Sequence, residues 1–168
     1  MKPLRNCGLL CSIGLLALNA FADDVRVFAG QLVGSAVGEH VAGVASGGAP
    51  WKVAASEFIV TSAGQILVEI RGLLIASGSS VNTVGPVTLV DASLVCGDVV
   101  AATTSSVALS STGNAEIKGT ITVPSPCIAP AVLVRIAATT TGPVTGGPFI
   151  AVNALSGVSS TADNEHGK

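Results

Sequence analysis

The side chains able to do chemistry are few in this 168-residue chain, and each falls where catalysis is hard to build. Beyond residue 22 there are two histidines. His166 lies near the C-terminal end. His40 sits beside Glu39 in a stretch of Gly, Ala and Val, where a general base would be exposed with nothing to hold it in one geometry, so it reads as a solvent-facing loop residue. Serine and threonine are abundant, yet no G-x-S-x-G elbow occurs and no oriented base is supplied to activate a hydroxyl. Two carboxylates about 5 to 10 Å apart could cleave a glycosidic bond. Asp91 and Asp98 are the only internal pair close in sequence, but Asp91 interrupts an apolar run and Asp98 follows Cys96-Gly97 as a turn residue. Both read as edge-strand or turn positions. Calcium asks for three or more carboxylates in a short span, and the densest clusters, Asp23-Asp24 and 163–165, are terminal. No catalytic residue, metal ligand or cofactor is expected.

The cysteines are more informative. Cys7 and Cys11 fall in the N-terminal leader, which leaves Cys96 and Cys127 as an even pair. In an oxidising compartment they are expected to form one disulfide, and with no histidine nearby they make a poor zinc site. Cys127 lies within Pro124-Ser125-Pro126-Cys127-Ile128-Ala129-Pro130, where the prolines remove backbone donors and bar a central strand. The single tryptophan, Trp51, follows Pro50 and could stack on a sugar ring. A sugar-binding face normally carries several rings, however, and Phe28, Phe58 and Phe149 fall within apolar strands. Trp51 therefore reads as a core or core-edge plug, with ligand contact as the alternative.

The elements that must position these residues begin after an address. Lys2 and Arg5, the apolar run 9–18 and Ala20-Phe21-Ala22 form a secretory signal peptide, residues 1–22, whose shortness reads as bacterial. The run is too short to span a bilayer, which takes roughly 20 residues. Cleavage near Ala22 leaves six basic and ten acidic side chains, a net charge of about −4, on a secreted or periplasmic protein. With no basic surplus and 11% charged residues, nucleic-acid binding is excluded.

Downstream, short Val- and Ile-rich runs alternate with polar residues and are punctuated by Gly, Pro, Ser and Thr, while helix periodicity is absent. In Gln65–Arg71, Ile66, Val68 and Ile70 point one way and Gln65, Leu67, Glu69 and Arg71 the other. The run 115–123 repeats the pattern and places Glu116 and Lys118 together on a solvated outer surface. Further runs at 25–33, 53–60, 87–95, 99–103, 106–110, 131–138 and 149–154 bring the total to about nine strands. Ser62-Ala63-Gly64 and Ser111-Thr112-Gly113-Asn114 are expected to link antiparallel neighbours. Such a series predicts an all-β, two-sheet antiparallel β-sandwich with little or no helix, a single domain over 23–155. Residues 34–50 read as a flexible Gly/Ala-rich segment and 156–168 as a disordered polar tail. An outer-membrane barrel would need aromatic girdles, which one Trp, four Phe and no Tyr do not supply.

The chain resembles antibody-type immunoglobulin domains in general architecture only. In those domains the tryptophan lies between the two bridged cysteines, whereas Trp51 precedes both. The expected function is a non-enzymatic structural or interaction protein, self-associating or docking on another extracellular protein through apolar positions such as Leu67 and Leu133 on the outer faces. A small carbohydrate- or ligand-binding module using Trp51 is the alternative.

Overall fold

Alternating burial along the strands builds the architecture. In the computed structural model, which describes residues 26–153, there are fifteen strand segments and no helix. The expected signal peptide and polar tail lie outside the described residues. In chain order the strands are β1 (Arg26–Gly30), β2 (Leu32–Gly34), β3 (His40–Val41), β4 (Val44–Ala45), β5 (Trp51–Lys52), β6 (Ala55–Thr61), β7 (Gln65–Arg71), β8 (Leu74–Ile75), β9 (Val87–Cys96), β10 (Val99–Thr103), β11 (Val107–Ala108), β12 (Ala115–Thr120), β13 (Ala131–Thr139), β14 (Gly142–Pro143) and β15 (Phe149–Asn153). The first sheet has the order β1-β6-β7-β12. The second runs β10-β9-β13-β15-β2, with β11 also on β9 and β14 on β13. Two ribbons, β3-β4 and β5-β8, complete the set, and every strand pairing is antiparallel. The chain is a two-sheet β-sandwich.

Its core is the pair of inward faces. Phe58, Val60, Ile66, Val68, Ile70 and Ile117 from the first sheet meet Val90, Ala92, Leu94, Val132, Val134 and Ile150 from the second. Each such large side chain removed from water contributes roughly 1.5 to 3 kcal/mol. Trp51 belongs to this core at 7% exposure. The strand that carries it is stitched across one side of the sandwich: Trp51 N donates to Ser35 O at 2.8 Å, and Ala76 N donates to Pro50 O at 2.8 Å. Gly34 lies directly on the Trp51 carbonyl, so close that a methyl group there would collide with backbone. Only glycine permits that approach.

The structure refines the nine expected runs in three places. The run 25–33 is two strands, because the chain crosses between sheets at Gln31: β1 pairs with β6, whereas β2 pairs with β15. The turn 111–114 does not join antiparallel neighbours. β11 belongs to the second sheet and β12 to the first, so this turn also changes sheet. Residues 34–50, read above as a loop, contain the β3-β4 hairpin, whose turn residues Ala42 (φ 49°) and Gly43 (φ 74°) both take the left-handed conformation of a two-residue hairpin. The remaining additions are pieces of two residues, too short to show alternation.

The cysteines pair as expected. Cys96 and Cys127 form a disulfide with Cα atoms 4.9 Å apart, tying the end of β9 to the proline-rich connection. A bridge of this kind fits an oxidising compartment.

Candidate functional site

The two outer faces of the sandwich differ. On the second sheet, Val95, Leu133 and Phe149 form a separate apolar cluster, covered by Val41, Ala42 and Val44 of the β3-β4 hairpin. Gly47 N donates to Phe149 O at 2.8 Å, and Ser46 N to Glu39 O at 2.8 Å, which pins the hairpin on this face. Leu133, expected to be an exposed outer position, is thus fully buried under the chain's own hairpin.

Beside this cluster lies a polar one. Asp91 on β9 stands in register with Arg135 on β13. The Arg135 side chain is buried, with Nε donating to Gly147 O at 2.8 Å and Nη1 to Ser93 Oγ at 3.4 Å. Ser93 Oγ lies 2.9 Å from Thr103 Oγ1. Asp91 Oδ1 is buried without a hydrogen-bond partner among the described residues. Burial pushes the Asp91 carboxyl above the usual carboxylate range, and the Arg135 charge partly opposes this. A raised pKa means that the folded state holds this proton more tightly than the unfolded state does. The group's contribution to stability is therefore full below the usual Asp value and lost as pH rises through the raised folded value. Asp91→Asn, which cannot titrate, should remove this decline. Urea unfolding of both proteins from about pH 4 upward checks it, since wild type should lose stability relative to the variant. Parallel profiles would contradict the assignment.

Among the described residues, the outer face of the first sheet carries no such cover. Glu57, Glu69 and Glu116 stand side by side across β6, β7 and β12, on strands about 4.8 Å apart. In the next row are Ile59, Leu67 and Lys118. The apolar pair is half-buried and the charged residues are exposed. Lys118 Nζ reaches Glu116 Oε1 at 2.5 Å, and this hydrogen bond, then the Glu116 charge, holds the ammonium above its usual range. The pair is a solvated outer surface, as its spacing on one strand implied.

The residues singled out for chemistry are not brought together. Asp98 lies in the turn after β9, and four strand residues separate Asp91 from Cys96, a span of roughly 16 Å. His40 is exposed on the hairpin, with Nδ1 3.2 Å from Gly38 O. Trp51 is buried, leaving no ring face to offer a sugar. His166 lies outside the described residues. Among the described residues no group of three or more His, Cys, Asp or Glu side chains is placed to hold a metal ion, and no helix is long and apolar enough to cross a membrane.

Sequence reasoning passed over Arg135 and Glu57. The signal for Arg135 was available, since it interrupts an apolar run as Asp91 does and pairs with it in register. Glu57 takes part only through strand order. Compared with known proteins, the chain matches no family model, no curated protein and no solved structure.

Proposed function

We propose that this is an exported, non-catalytic interaction domain of an oxidising extracytoplasmic compartment, and that it associates with copies of itself through the open outer face of the first sheet. The carrying observation is the asymmetry of the faces: the chain covers the apolar outer residues of the second sheet itself but leaves Ile59 and Leu67 half-buried on the first. These two are flanked by the acidic row Glu57, Glu69, Glu116 on one side, with Lys118 in their own row and Arg71 beyond the acids. A second copy turned by a two-fold axis can set its cations against those acids, which makes the face self-complementary in charge.

Strand addition at the edges is the poorer route. β1 and β10 each carry a register shift, β2 has only three residues, with Leu32 N and O both engaged by the Ser56 hydroxyl, and the regular edge β12 carries the charged side chains Glu116 and Lys118. These features blunt sheet edges. The open face is small, on the order of 20 Å on a side, so single contacts should be weak and become strong only when many copies are arrayed. Light scattering across a concentration series tests this reading. The expected result is a mass that rises with concentration and falls again in salt. A monomer throughout would sink it.

A further inference from the structure

We propose that the cleft at the disulfide end of the sandwich is a binding site for an uncharged small molecule with a flat apolar body and one hydrogen-bonding edge. The cleft is lined by residues of β1 and β6 in the first sheet, by Val95, Gly97 and Asn153 at the ends of β9 and β15 in the second, by Val41 of the hairpin and by residues 129–131, and has a volume of about 720 Å³. That lies within the roughly 300 to 1,000 Å³ typical of small-molecule sites. It is separate from the open face of the first sheet, and neither reading depends on the other.

Three properties of the lining set the chemistry of the occupant. First, among the described residues no charged side chain lines the cleft. A charged guest would lose its hydration there with no counter-charge in return, so a neutral one is selected. Second, the walls are apolar and partly aromatic: Phe28 and Phe58 meet edge to face, with centroids 4.8 Å apart and planes at 61°, and Val95 and Val41 also line the cleft. Flat apolar molecules pack well on such walls. Third, the polar side chains that line it among the described residues are two amides, Gln31 at the chain crossing and Asn153 at the end of β15. Asn153 is 5% exposed, and its Oδ1 accepts from Val132 N at 2.9 Å, which fixes the amide's orientation. An amide fixed in this way reads the polar edge of a guest.

The cleft is also firmly built. Cys96–Cys127 clamps its rim, and Gly97 N donates to Ile128 O at 2.6 Å across the same end. Gly30 leaves room for the Phe58 ring, whose edge would lie within 3.1 Å of any added Cβ. A site held this way needs little ordering when it is filled.

Two dyes of nearly the same shape test the proposal on the exported protein: neutral N-phenyl-1-naphthylamine and its charged analogue 8-anilinonaphthalene-1-sulfonate. The neutral dye should show saturable, one-site fluorescence enhancement, and the sulfonate should bind about tenfold or more weakly. Amide resonances of Phe28, Gln31 and Asn153 should shift on adding the neutral dye. Gln31→Trp, a change at an exposed position that fills the mouth, should weaken binding by about tenfold with an unchanged melting temperature, whereas Leu67→Glu on the open face should leave binding unaltered. Absence of saturable binding, equal affinity for both dyes, or resonance shifts confined to other parts of the chain would overturn it. Binding that appears only after residues 154–168 are removed would overturn it as well, since the chain's own end would then be the occupant.

Discussion

Replacing Cys96 and Cys127 together by serine lowers the unfolding free energy by about 3 to 4 kcal/mol. The bridge spans a sequence separation of 31 residues, and in the chain-entropy account cross-linking a loop of that length restricts the unfolded chain by this amount. A domain of ordinary stability has about 5 to 15 kcal/mol in all, so the loss is a large share. It also loosens the tip where Gly97 meets Ile128 and where the proline-rich connection is held to β9. Urea unfolding of the double variant against wild type measures the effect through the midpoint at unchanged slope. A change below about 1 kcal/mol would mean that the unfolded chain is already constrained elsewhere.

Trp51→Ala carries the second large effect, about 3 to 5 kcal/mol, because it empties the space of a large buried ring. The ring does more than fill volume. Its strand is bonded to Ser35 and, through Pro50, to Ala76, and Gly34 lies against its carbonyl, so a cavity here opens at the junction of β2, β5 and β8. Thermal unfolding decides the point: a drop of many degrees or insoluble protein is the expected result. A stability change within about 0.5 kcal/mol would be the behaviour of a surface platform and would contradict core placement.

What the sequence disclosed depended on how local the physics was. β7 is legible residue by residue, since Ile66, Val68 and Ile70 sit at strict alternation and all are buried. The disulfide was legible because only two cysteines lie beyond residue 22. The crossing at Gln31 was not, because a strand that leaves one sheet for another keeps the same extended backbone and the same apolar composition. The β3-β4 hairpin was hidden by its turn: Ala42-Gly43 takes the conformation usually announced by Asn-Gly, and alanine gives no such signal. That hairpin decides which outer face is open. Leu67 and Leu133 occupy equivalent outer positions in sequence, and only the fold of residues 40–45 over Val95, Leu133 and Phe149 separates them. The acidic row is likewise a product of register, for Glu57 and Glu69 come from the two strands of one hairpin and Glu116 from a strand much later in the chain.

The most direct test of association through the first sheet compares single charges placed on two different apolar surface residues, one half-buried and one exposed. Leu67→Glu puts a carboxylate at the centre of the open face, and Ile128→Glu puts one at the 68%-exposed position beside the disulfide. Mass is measured by light scattering at matched high concentration. The account predicts that Leu67→Glu holds the protein at monomer mass while Ile128→Glu associates as wild type does. Loss of association in Ile128→Glu alone, or persistence in Leu67→Glu, would contradict it.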